Sequence, residues 1–178
     1  MRFYTSIRLV LLGVWLGAAC FFIVVAQSAF SLADGGSFTR DNAGAIVNRT
    51  LAVLNIGGLA IGVLLIIMSL VGAKGAVRFW LWIERFLLLL LAGACAIGQF
   101  VISQWLLYLR LEMRGPIDSI AADDPLRLRF DQLHQYSELA LMVAMIAALL
   151  AFFIIANRGI RALPPAAGNS TLQNDVKI

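Results

Sequence analysis

Four apolar runs decide what this chain can become. They cover about residues 7–32, 48–71, 79–109 and 136–156, and each reaches or exceeds the roughly 20 residues an α-helix needs to cross a bilayer. Inside hydrocarbon every backbone N–H and C=O must find a partner within its own segment, so runs of this length are read as helices. The expected fold is an all-α, four-helix transmembrane bundle over residues 1–162, in an inner or plasma membrane. The first run carries Ala26-Gln27-Ser28-Ala29 near its end, as a secretory leader would. A leader's apolar region is only about 7–15 residues long, so this run is kept as a spanning helix.

The third run, at about 31 residues and 1.5 Å per residue, would reach ~46 Å, well past a hydrocarbon core of ~30 Å. Its far end is expected to project into an external loop between the third and fourth helices, Arg110 to Gln135. Gly115-Pro116 and Asp124-Pro125 break that loop into short pieces, with room for one short interfacial helix between them. Residues 163–178 are polar and aperiodic after Pro164-Pro165, which predicts a disordered cytoplasmic tail.

Hydrophobic residues make up 61% of the chain, and a mean hydropathy of +0.89 argues against water as the main solvent. The net charge of +4 does not point to nucleic acid, because the basic residues are scattered singly and in pairs and form no run that could follow phosphates. They read instead as topology. Arg2 and Arg8, Lys74 and Arg78, and Arg158 and Arg161 mark one side. Since Lys and Arg collect in cytoplasmic loops, both termini are expected in the cytoplasm. The acids fall mostly on the opposite side, leaving only Glu84 and Asp175 with the basic residues.

Helices in lipid associate through small residues, which allow close approach, and through polar residues that find partners. On helical spacing, the first run offers Gly13, Gly17, Cys20, Val24, Gln27 and Ser31, and the second offers Asn48, Asn55, Gly58, Gly62 and Ser69. The third offers Cys95, Gln99 and Ser103, with Gln104 to one side, and the fourth offers His134, Ser137, Leu141, Met145 and Ala148. Gly13-x-x-x-Gly17 and Gly58-x-x-x-Gly62 are the expected points of helix packing. Gln27, Asn55, Gln99 and Gln104 all fall in the outer half. Amides in hydrocarbon are costly unless paired or wetted, so an outward-facing polar cavity is expected, with His134 and Ser137 at its mouth.

No conventional catalytic constellation is legible: there is one histidine, no nucleophile beside a base, and no carboxylate expected inside a spanning helix. The chain is expected to be no enzyme and to need no cofactor. Haem is disfavoured, because Met145 stands ~16 Å along the same helix from His134. Copper remains open as an alternative, since Cys20, Cys95 and Met145 are expected at similar depth on inward faces and soft ligands suit Cu(I). Two functional readings follow. One is an accessory or assembly subunit, or a self-associating bundle, whose partners are lipid and other membrane proteins. The other is a small transport or metal-handling protein.

Asp124-Pro125, then Leu126 to Phe130, then Leu133-His134-Gln135-Tyr136-Ser137, together with Trp15-Leu16-Gly17 and Phe21-Phe22, resemble the transmembrane-protein-205-like family, domain of unknown function 4149. The resemblance implies a compact four-span membrane protein without an established reaction, and adds Phe130, His134 and Ser137 as functional positions. The stretch from Met113 to Asp118 departs from the family's eukaryotic members.

Overall fold

The structure is a computed structural model that describes residues 2–36, 39–71, 78–113, 115, 117–121 and 123–161. Its elements are α1 (Arg2–Asp34), α2 (Arg40–Val71), α3 and α4 (Pro125–Arg161). Helix α3 comprises Arg78–Ile97, a π turn over Gly98–Ile102, and Ser103–Glu112. All four are long and apolar enough to span a membrane. They run up and down in a ring: α1 packs on α2, α2 on α3, α3 on α4, and α4 back on α1. Residues 163–178, expected as a disordered tail, lie outside the described residues.

The helices extend beyond the apolar runs, and local chemistry explains where they stop. Helix α1 ends at a turn in which Gly36, at φ 74°, donates its N–H to the carbonyl of Ala33, a left-handed position that glycine occupies without strain. Helix α4 begins at Pro125, eleven residues before the expected start at 136. Asp124 Oδ1 accepts from the N–H of Leu126 at 2.7 Å, an N-cap, and proline at the first helical position lacks only an N–H that would have had no partner. The Asp124-Pro125 pair is therefore a helix start. The stretch from Arg129 to Gln135, expected as loop, is helical. Among the described residues between the two breakers, Ile117–Ser119 forms a 3-10 turn.

Aromatic side chains mark two levels along the bundle. Phe3, Tyr4, Phe79, Trp80 and Trp82 are exposed at the end where α1 begins, and Trp105, Tyr108 and Tyr136 are exposed toward the other. Trp82 and Trp105 are separated by about 35 Å at 1.5 Å per residue, close to the thickness of a hydrocarbon core, and aromatic residues favour both membrane interfaces. The end carrying the start of α1 is called the basic end below, and the other the loop end.

Trp15 gives the centre its packing. Its indole Nε1 donates to the carbonyl of Leu54 at 3.0 Å across the α1–α2 contact, so the N–H buried by the ring is satisfied. The ring lies over Gly58: a Cβ there would fall 2.7 Å from Trp15 Nε1 and 2.6 Å from Cys95 Sγ. One turn on, a Cβ at Gly62 would fall 3.0 Å from the Cβ of Ala92 and 3.3 Å from its Cα, so α2 and α3 approach almost backbone to backbone. The expected Gly58-x-x-x-Gly62 contact is present, and it seats one large side chain and one neighbouring helix.

Candidate functional site: a buried carboxylate between two arginines

Glu84 has no solvent exposure. It stands in α3 two residues beyond Trp82 and receives guanidinium groups from two other helices. Arg8 of α1 donates through Nη2 to Oε1, and Arg158 of α4 donates through Nη1 to Oε2 at 2.5 Å. Because α1 and α3 sit diagonally in the ring, the carboxylate lies near the bundle axis, where three helices converge on it. Arg85 turns the other way: Nη2 donates to the carbonyl of Ser69 at 3.0 Å and Nε to its hydroxyl at 3.4 Å. All four helices are thus joined at the basic end by arginine.

This cluster was not anticipated. Glu84 reads in the sequence as an acid among basic loop residues, and the expectation of no carboxylate within a spanning helix is overturned. The signal available was its placement: an acid one turn inside an apolar helix, at the level where Arg8 and Arg158 enter theirs. A carboxylate taken out of water costs several kcal/mol unless its oxygens are fully engaged, and here both oxygens are. Two guanidiniums on one carboxylate leave an excess charge of +1. Arg8 Nε is buried with no hydrogen-bond acceptor.

The predicted polar site divides. Asn55 and Ser137 are buried, and Gln99 is half-buried with its Oε1 enclosed and unpartnered. Asn55 lies against the π turn, for a Cβ at Gly98 would come 3.0 Å from its Nδ2. The turn closes with the N–H of Ser103 donating to the carbonyl of Gly98, and such extra residues in a helix recur where a side chain has to be re-aimed. Gln27 and Gln104 point outward and are exposed. His134 is half-buried one turn before the buried Ser137 on the same stripe of α4, its side chain 45% exposed and Nε2 3.5 Å from Glu138 Oε1. Phe130 is half-buried near the start of α4.

The inward face of α1 is the reverse of the expected one. Gly13, Gly17, Cys20, Val24, Gln27 and Ser31 are all exposed, while Leu12, Trp15, Ala19, Phe22 and Ala29 are buried. Lipid is as apolar as leucine, so hydrophobicity does not sort inside from outside. The fit of Trp15 over Gly58 does. Among the described residues nothing lies within 4 Å of a Cβ at Gly17, and a Cβ at Gly13 would meet Phe152 of α4 only at an ordinary contact distance of 3.9 Å. The soft-metal trio comes apart for the same reason. Cys20 faces out, Cys95 is buried against Trp15 and Gly58, and Met145 is half-buried on α4. Among the described residues no three His, Cys, Asp or Glu side chains gather as metal ligands.

At the loop end the charges pair near the surface. Arg110 Nη2 donates to Asp41 Oδ1 at 2.5 Å, joining α3 to the start of α2, and Arg40 Nη2 donates to Asp34 Oδ1 at 2.8 Å across the first turn.

A family model for the domain of unknown function DUF4149 matches residues 10–114, more than half of the chain. The chain belongs to this family. The matched region runs from α1 through α3 and includes Trp15, Asn55, Gly58, Glu84, Cys95 and Gln99. The stretch from Asp124 to Ser137, which carried much of the resemblance, lies outside it. No curated protein and no solved structure matched the chain.

Proposed function

We propose that this polytopic membrane protein is a non-enzymatic docking subunit, accessory to a larger membrane complex or assembling with itself, and that it needs no cofactor. One observation carries the reading: the outward face of α1. Gly13, Gly17, Cys20, Val24, Gln27 and Ser31 advance by alternating steps of four and three, the 3.5-residue period of a left-handed helix–helix seam. Small residues on such a seam allow another helix to approach closely. Helix α1 is also the most peripheral of the four, its apolar stretch the least buried and that of α3 the most. The occupant is a transmembrane helix of another chain.

The basic end is assigned to the cytoplasm on the excess of Lys and Arg there. Kinship with transmembrane-protein-205-like proteins, supported by the residues from Asp124 to Ser137, belongs with this reading and adds no reaction to it. Asn55, Gln99 and Ser137 serve as an internal polar layer in the outward half of the bundle.

Extraction from native membranes in mild detergent tests the proposal, with Gly17→Leu as the probe. Because nothing lies within 4 Å of that position, the larger side chain disturbs the seam and leaves the bundle intact. A stoichiometric partner or a dimer, lost in Gly17→Leu, supports the reading; oxidative cross-linking through Cys20 identifies the dimer. A monodisperse monomer, unchanged by the substitution, refutes it.

A further inference from the structure

The geometry points to an anion site at the basic end: Arg8 of α1 and Arg158 of α4, bridged by Glu84, together take one phosphate group on their exposed side.

The charge is the first reason. Arg8, Arg158 and Glu84 carry +1 together, Arg85 beside them spends its hydrogen bonds on neutral Ser69, and among the described residues no other acid lies at this end. Positive charge withdrawn from water without a matching anion is unfavourable. Donor capacity is the second. Each guanidinium has five N–H groups in a planar fork, and the bonds to Glu84 engage only one nitrogen of each. Arg8 Nε is enclosed without an acceptor. Glu84 fixes the two forks in place, and a tetrahedral oxyanion suits donors presented in this way.

Access and position complete the case. The Glu84 side chain is wholly enclosed, whereas Arg8 keeps 14% and Arg158 27% of its side-chain surface. The open side therefore belongs to the arginines. They stand on helices that are neighbours in the ring, so both guanidiniums can reach one anion at the basic end. Its level is that of Trp80 and Trp82, where the interface begins and headgroup phosphates reside, and basic pockets between spanning helices bind anionic headgroups. The shared chemistry is a phosphate oxyanion, which a phospholipid or dissolved phosphate can supply. The site is independent of the outer face of α1 and would exist on a partnerless monomer.

The test uses the full chain, purified in mild detergent and reconstituted with phosphatidylglycerol or with phosphatidylcholine, or exposed to inorganic phosphate. Bound lipid is counted by native mass spectrometry and the thermal midpoint is recorded. Retention of one phosphatidylglycerol per chain, with phosphatidylcholine held about tenfold less, is expected for a charge-assisted contact. Arg158→Gln should reduce retention about tenfold, and Arg158→Lys, which keeps charge and loses the fork, should fall between. Glu84→Gln gives the opposite sign. It removes the competing negative charge, so phosphatidylglycerol should bind more tightly and raise that variant's midpoint by more than it raises the wild type's. A purely structural cluster predicts no such gain. Stabilisation by inorganic phosphate without any preference between lipids would name the soluble source and keep the site. Equal retention of both lipids with no response to phosphate overturns it, as does a folded Glu84→Gln variant that binds no more tightly. If Arg158→Gln does not fold, the lipid preference of the wild type and the Glu84→Gln result decide.

Discussion

Gly57 and Gly58 are adjacent in α2, and adding a methyl group to each should have opposite effects. At Gly57 nothing lies within 4 Å of a new Cβ. Alanine there gains up to about 1 kcal/mol of helix propensity. At Gly58 the same methyl would stand 2.6 Å from Cys95 Sγ, 2.7 Å from Trp15 Nε1 and 2.8 Å from Trp15 Cε2. Ordinary contact begins near 3.5 Å between carbon atoms, so these groups must each retreat by most of an ångström. Neither is free to do so. Cys95 is 1% and Trp15 3% exposed, and the indole is tied to the carbonyl of Leu54. Overpacking of this kind costs about 1–3 kcal/mol. Set against the propensity gain, Gly58→Ala should be destabilising by up to about 2 kcal/mol, and it should fall below Gly57→Ala by about 1–3 kcal/mol. Reversible unfolding in detergent or bilayer, read by tryptophan fluorescence and a second probe, measures both. Equal stability of the two variants would refute the reading of Gly58 as the seat of Trp15. Restoration of Gly58→Ala by Cys95→Ala should be partial, because the indole clash persists.

Replacing Glu84 by leucine in phosphatidylcholine should lower stability by about 3–5 kcal/mol, because it strands two largely buried guanidiniums; an unchanged midpoint would refute that dependence on the carboxylate. Gln99→Leu should be neutral or stabilising by about 1 kcal/mol, since it removes an enclosed carbonyl oxygen that has no donor; a clear loss would show that this oxygen is engaged. In the dissociated monomer a lipid-soluble thiol reagent should modify Cys20 about tenfold faster than Cys95, on exposure alone, with comparable rates there excluding the assigned face of α1.

What the sequence decided by itself follows from solvent. Runs of about 20 apolar residues leave the backbone one way to satisfy its hydrogen bonds in hydrocarbon, so four helices were readable at once; the third was expected to stand out by length, but at 35 residues it is shorter than α4 at 37. Gly58-x-x-x-Gly62 was readable too, because close approach of two helices requires the absence of a side chain. The start of α4 was written at Asp124-Pro125 and was misread, as the pair serves a turn and a helix cap equally well.

Only the tertiary structure decided which way each helix turns. In water the apolar stripe would have named the inner face of α1. In lipid both faces are apolar, and the choice went to shape: Trp15 fits over Gly58, so Gly13, Gly17, Cys20 and Gln27 face outward. The same rotation separated Cys20 from Cys95. Glu84 shows the other limit, for its neighbours Arg8 and Arg158 lie 76 and 74 residues away along the chain. No local pattern brings them together. The ring of four helices does, because α1 and α4 enter at the same end as α3 and direct their arginines at one carboxylate.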